Sequence, residues 1–293
     1  MPGWGDATLV TYAGIGILLA LVSSITTASA HALLKAGKDK LAVRALIGAV
    51  GTIALAPACL FVPAPTATLL PWLIAASALH TTYQLVLIRA YDTSDFSVAY
   101  PIARGTAPIA TSVLGIALLG DKMALGGLAG VCFVSAGILM IAAGRKIVAS
   151  GLIAAGIAGL LTTAYTIIDA RAIRIAPSAM TFVAWFFLLD GLIMFPIFVA
   201  LRQGRIASLL RSEGRQGLLA GMTSLVSFGT ALIALRLAPV GMVSALRETS
   251  VVFGMFIAAS VLREQVDRRR IAAAVVIAAG AVLIIATTGS SPT

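Results

Sequence analysis

Tyr100-Pro-Ile-Ala-Arg-Gly-Thr-Ala-Pro108 carries an arginine, Arg104, into an apolar run, and Ser244-Ala-Leu-Arg-Glu-Thr-Ser250 carries another, Arg247. Some 15 almost uncharged residues follow each one. A charge near the centre of a bilayer costs several kcal/mol unless it faces a cavity or a partner. The two stretches hold equivalent places in the two halves of the chain, which predicts a polar site where two structural repeats meet.

The surrounding composition makes the bilayer the relevant solvent. Of the 293 residues, 60% are hydrophobic and 11% charged, and mean hydropathy is +1.04. A soluble domain carries about 25% charged residues. Apolar runs of about 18 to 24 residues recur along the chain, each long enough for a hydrocarbon core of roughly 30 Å. The net charge of +10 would suit nucleic acid, but the basic residues cluster between apolar runs, where they set topology. No nucleic-acid partner is expected. The opening Met1-Pro-Gly-Trp-Gly-Asp6 lacks the basic stretch of a secretory signal. Cys59 and Cys132 lie inside apolar runs with no metal-ligand or redox neighbour, so they read as packing residues.

Ten spans are predicted, near 8–34, 43–62, 71–91, 96–119, 124–143, 150–170, 178–200, 216–236, 241–262 and 269–288. The fold class is an all-α integral membrane protein. A shift of 143 places Arg104 on Arg247, Thr106 on Thr249, Leu119 on Leu262, Asp121 on Glu264 and Ala136-Gly137 on Ala279-Gly280. A shift of 136 places Thr26-Thr27-Ala28 on Thr162-Thr163-Ala164. The reading is two five-helix repeats, 1–146 and 147–293, around a central cavity.

Five is odd, so the second copy must run inverted relative to the first. Alternate loops divide the basic residues unequally. One side receives 15, from Lys35, Lys38, Lys40 and Arg44 to Arg268, Arg269 and Arg270; the other receives only Lys122, Arg171, Arg174 and Arg236. The rich side is expected to be cytoplasmic, with both termini outside.

The two halves carry Leu118-Leu-Gly-Asp-Lys122 before Gly126, Gly130 and Gly137, and Val261-Leu-Arg-Glu-Gln265 before Gly280. With ten spans, Pro108 in the fourth, and an acidic turn before the last helix of each half, the chain resembles the drug/metabolite transporter superfamily, and within it the EamA-type exporters. Asp121 stands where that family often has glutamate, and Val251 where Pro108 would repeat. The resemblance implies a secondary transporter of the inner membrane that exports small metabolites, most of all amino acids, without a cofactor and as a monomer. The same fold also serves multidrug and other metabolite transporters. An intramembrane enzyme has little support, since the chain has two histidines, His31 and His80, and no His-Glu-x-x-His motif. A channel suits an inverted repeat less well than alternating access.

Candidate site residues follow from depth and helical spacing. Arg104 lies about eight residues into its span, roughly 12 Å deep at 1.5 Å per residue. Arg104 and Arg247 either bind a cargo carboxylate through the planar guanidinium fork or brace helices. Glu248, a mid-span glutamate, either couples protons or pairs with Arg104 across the repeat interface. Asp190 is the second carboxylate that could couple protons. His80, Tyr83 and Gln84 form a polar stripe in the third span, answered by Ser224 and Ser227 in the second half. Tyr100 stands four before Arg104. Tyr165, Trp185 and Ser244 complete the expected cavity lining, and no metal is expected.

Overall fold

Apolar surroundings offer no water to a backbone N–H or C=O, so a lipid-spanning chain must satisfy these groups within itself. The computed structural model describes residues 6–93, 96–142, 149–253, 255 and 267–288. Those residues form ten α-helices: α1 (Asp6–Ala36), α2 (Lys40–Leu55), α3 (Leu70–Thr93), α4 (Phe96–Leu119), α5 (Leu125–Ala142), α6 (Ala149–Ile175), α7 (Ala179–Leu201), α8 (Ile206–Leu237), α9 (Val240–Glu248) and α10 (Arg268–Thr287). A 3-10 turn, Pro57–Leu60, follows α2. Among the described residues, five segments are both long and apolar enough to cross a membrane: Tyr12–Leu34, Lys40–Leu60, Ala179–Leu201, Ile206–Leu237 and Arg268–Thr287. The chain is a multi-pass membrane protein.

Helix starts follow local chemistry. Asp39 caps α2 by accepting the N–H of Ala42 at 3.0 Å, Ser178 caps α7 through Thr181 at 3.0 Å, and Asp267 caps α10 through Arg270 at 2.8 Å. Pro101 and Pro108 sit within the continuous α4. Pro196 lies inside α7.

Three readings are corrected here. Helix α8 starts ten residues before the expected 216, because Ile206, Leu209 and Leu210 pack against Met194, Phe198 and Leu41 and extend the helix through its arginines. Arg44, counted among the loop charges, is 4% exposed within α2, held there by an ion pair. Cys132, expected to pack, is exposed on α5. The residues expected to finish the ninth span at 256–262 lie outside the described residues.

The helices pair along their apolar faces. Helix α1 packs on α8 and α9; α2 on α7 and α8; α3 on α6 and α7; α4 on α5, α6 and α9; and α5 on α10. Matched contacts show that several pairs run antiparallel. Gly16 meets Ala238 while Leu33 accepts a hydrogen bond from Gln216, so α1 and α8 are opposed. Arg44 reaches Asp190 while Thr52 bonds the carbonyl of Phe187, so α2 and α7 are opposed. Glycine permits the closest approaches. A Cβ on Gly130 would stand 2.7 Å from the carbonyl oxygen of Gly280, and one on Gly137 would stand 2.9 Å from that of Ala273.

Polar ties join the loops at each end of the bundle. At one end Arg202 Nε donates to Asp39 at 2.8 Å. At the other, Asp121 accepts from Arg174 Nη1 at 2.6 Å and from the N–H of Val240, at the start of α9, at 2.6 Å. Arg174 and Arg236 cap each other's helices. Arg174 donates to the carbonyls of Leu235 and Ala238, and Arg236 to those of Ile173 and Ala176.

Candidate functional site

A charge buried among apolar helices must find its opposite. Arg104, on α4, meets Glu248, the last residue of α9. Its Nε donates to Oε2 at 2.6 Å and its Nη2 to Oε1 at 2.8 Å, a two-pronged pairing that engages both carboxylate oxygens. Arg104 is 6% exposed and Glu248 2%.

Arg247 precedes Glu248 and so points about 100° away around the helix. Its Nε donates to Ser23 Oγ at 3.2 Å, and its Cζ lies 5.9 Å from the centre of the Phe228 ring. Among the described residues it forms no ion pair. The second arginine is therefore a half-buried cation held by a hydroxyl and a ring face.

Arg247 lines a cavity of about 110 Å³ at the centre of the bundle. Helix α1 contributes Thr27, Ala30, His31 and Leu34; α2 Arg44 and Ile47; α3 His80 and Gln84; α7 Phe186, Phe187 and Asp190; and α8 Ser224, Ser227 and Phe228. Hydroxyl bonds stitch the wall together: Thr27 with Ser227 at 2.5 Å, and Ser24 with Thr249 at 2.7 Å.

Two further side-chain pairs reach the cavity wall. Arg44 Nη2 donates to both oxygens of Asp190, at 2.7 and 2.9 Å, while Arg44 Nε and Nη1 have no partner among the described residues. His80 Nε2 lies 2.8 Å from Asp169 Oδ2. Tyr165, Phe228 and Phe186 surround the His80 ring at centroid distances of 4.1, 4.6 and 5.1 Å.

Six of the residues named from sequence, His80, Gln84, Asp190, Ser224, Ser227 and Arg247, line this one cavity. Tyr165 and Tyr83 pack as a pair, 5.3 Å between ring centres, behind His80. Arg104 and Glu248 are bound to each other. Ser244 is buried in α9 and stands outside the cavity wall. Trp185 points to the loop after α2, donating to the carbonyl of Pro63 at 3.3 Å. The side chain of Tyr100 lies outside the described residues. The sequence reading missed Arg44, His31 and Asp169. Arg44 was hidden by its position beside a basic loop. Asp169 had a usable signal, an aspartate late in the sixth apolar run, four after Tyr165. Among the described residues no cluster of His, Cys, Asp and Glu is arranged for a metal ion.

Long apolar helices thus enclose a polar cavity whose wall holds Arg247 and His80 and the Arg44–Asp190 ion pair. Residues 149–286 match the EamA-like transporter family, a branch of the drug/metabolite transporter superfamily. No curated protein matches the chain. Among solved structures, one titled "Crystal structure of protein" is 18% identical, with a TM-score of 0.75 over 94% of this chain and 98% of that chain. At that identity the likeness speaks for the fold.

Proposed function

We propose that the protein exports small zwitterionic metabolites, amino acids foremost, by exposing the central cavity alternately to the two sides of the membrane. The observation that carries this is the difference between the two arginines. Arg104 is neutralised by Glu248, whereas Arg247 faces the cavity and, among the described residues, pairs with no carboxylate. A planar guanidinium in a low-dielectric cavity suits a cargo carboxylate. The rings of Phe186, Phe187 and Phe228 supply an apolar wall for a side chain.

The helix pairings support two inverted five-helix repeats, 1–146 and 147–293. Advance each helix number by five, and α3–α6 becomes α8–α1, α4–α6 becomes α9–α1, and α2–α8 becomes α7–α3. The pairs α2–α7 and α5–α10 map onto themselves. A shift of 143 carries the Gly130–Gly280 approach onto that of Ala273 and Gly137. The antiparallel run of α2 against its counterpart α7 favours inversion. Loop charges favour an inner-membrane protein with both termini outside.

The test is uptake of a panel of labelled amino acids into proteoliposomes, with and without a pH gradient. Saturable flux accelerated by counterflow is expected. Flux of none of them would sink the amino-acid reading and leave a multidrug or other metabolite transporter of the same fold. Non-saturable flux would point to a channel.

A further inference from the structure

Both carboxylates that the sequence offers for proton coupling are occupied. Glu248 gives its two oxygens to Arg104, and Asp190 gives its two to Arg44. Releasing either for a proton would strand a buried guanidinium without its carboxylate.

One titratable group facing the cavity is differently placed. His80 bonds through Nε2 to Asp169, 2.8 Å away. Asp169 is 1% exposed and stands behind His80, outside the cavity wall. A carboxylate on Nε2 fixes the hydrogen of the neutral ring there and leaves Nδ1 as an acceptor. Among the described residues Nδ1 has no hydrogen-bond partner. Asp169 Oδ1 is also unpartnered, so the aspartate retains capacity to stabilise a charged ring.

We infer that the His80–Asp169 pair is a cation site that takes either a proton or the ammonium end of a cargo, not both. In one state a proton adds to Nδ1, giving an imidazolium held by the Asp169 carboxylate. In the other the neutral ring accepts a hydrogen bond from the ammonium group while Arg247 holds the carboxylate. Phe228 joins the two ends: its ring centre is 4.6 Å from that of His80 and 5.9 Å from Arg247 Cζ. Exclusive occupancy converts cargo binding into proton release, which is the linkage an exchanger needs.

The charged and titratable groups around His80 are consistent with this. Helix α6 presents Asp169 and Tyr165. Helix α7 presents Asp190, already paired with Arg44 of α2. Helix α1 presents His31, and α9 presents Arg247. Helix α8 presents Phe228 and serines, which carry no charge. On α3 itself the neighbours are Tyr83 and Gln84. Arg247 is met by the cargo carboxylate, and the Asp169 carboxylate beside His80 balances one further positive charge, a proton or an ammonium but not both. An ammonium on neutral His80 and a proton on Nδ1 therefore compete for one place.

This inference rests on the amino-acid reading for its cargo and on geometry alone for its proton. The test uses the purified full chain with histidine labelled in 15N. There are two histidines, so His31→Gln leaves one imidazole to observe. The His80 ring is expected to pass from neutral to protonated on acidification, and to return toward neutral when saturating L-leucine or L-phenylalanine is added at the acid end. Binding of either tritiated amino acid should weaken about tenfold per pH unit on the acid side, as for displacement of one proton. Asp169→Asn should flatten that profile. A ring that keeps one protonation state from pH 5 to pH 8, or binding with the same pH profile in Asp169→Asn as in the unaltered chain, overturns the site. A ring that titrates while neither amino acid binds at any pH overturns the cargo and leaves the proton site standing.

Discussion

Gly130 and Gly280 face each other across the α5–α10 crossing so closely that a Cβ on either would lie 2.7 Å from the carbonyl oxygen of the other. Helix backbones cannot rotate aside as a side chain can. Gly130→Ala and Gly280→Ala are each expected to destabilise the protein by about 1–3 kcal/mol, the usual range for overpacking. Gly229→Ala, with open space around the added methyl, should instead be neutral or gain up to about 1 kcal/mol in helix propensity. Thermal unfolding of the three variants in one detergent checks the contrast. Equal melting temperatures would remove the crossing from the account of the fold.

The Arg104–Glu248 pair ties α4 to α9 in a nearly dry site. Glu248→Ala leaves a guanidinium buried without its carboxylate, an expected loss of about 3–5 kcal/mol. The double variant Arg104→Leu, Glu248→Leu removes both charges and should recover most of that loss. The comparison is read from unfolding midpoints. A double variant as unstable as the single one would mean that packing, not charge, fails.

Asp39 combines two roles at one end of the bundle, capping α2 and holding Arg202. Partial burial pushes its carboxyl up, but the bond from Arg202 and the N–H groups of Ala42 and Leu41 outweigh this and hold it below the usual carboxylate range. A carboxyl whose folded value is lowered contributes its stability above the unfolded value, about 3.9, and loses it as pH falls toward the folded value. Stability is therefore expected to fall on acidification below about pH 4, less steeply in Asp39→Asn. Asp39→Ala should also lose the α2 cap, about 1 kcal/mol at neutral pH. Melting curves from pH 3 to 7 test both. An unchanged acid slope in Asp39→Asn would place the acid sensitivity elsewhere.

Most of the helix boundaries were legible because the run length that a bilayer demands is written directly in hydropathy. The arginine pair was legible because a charge in an apolar run is conspicuous in one dimension. What faced what was harder. Glu248 and Arg104 are 144 residues apart, Arg44 and Asp190 146, and His80 and Asp169 89. None of these pairings leaves a local spacing to read. Arg44 was obscured further, since four basic residues within ten positions at the start of α2 look like a topology signal and only packing shows that one of them turns inward. The early start of α8 escaped for a related reason: Arg211 and Arg215 interrupt its hydropathy but not its helix.

Asp121 receives Arg174 at 2.6 Å and the first N–H of α9 at 2.6 Å, so it holds three elements at one end of the bundle. Any opening of the cavity toward that end must break these bonds. Asp121→Ala is expected to raise the alkylation rate of a cysteine placed at Ala238, which is 5% exposed, in a background where Cys59 and Cys132 are serine. The loss of a charge-assisted bond worth about 1.5–3 kcal/mol corresponds to a rise of about tenfold or more in the open population. No change in rate would show that this end stays shut by packing alone.

Arg247 separates the cargo reading from the bracing reading. Among the described residues its hydrogen bond is to Ser23 at 3.2 Å, and none of their carboxylates depends on it. Arg247→Ala should therefore leave the melting temperature within a few degrees of the unaltered chain. If the guanidinium holds the cargo carboxylate, the same change removes a charge-assisted bond of about 1.5–3 kcal/mol, or roughly ten- to a hundredfold in apparent affinity for the transported amino acid. Arg247→Lys keeps the charge but not the planar fork, and should fall between the two. Flux and melting are measured on the same preparations. A variant that aggregates shows that Arg247 braces α9 against α1 and α8. A stable variant with undiminished flux shows that the cargo is held elsewhere in the cavity.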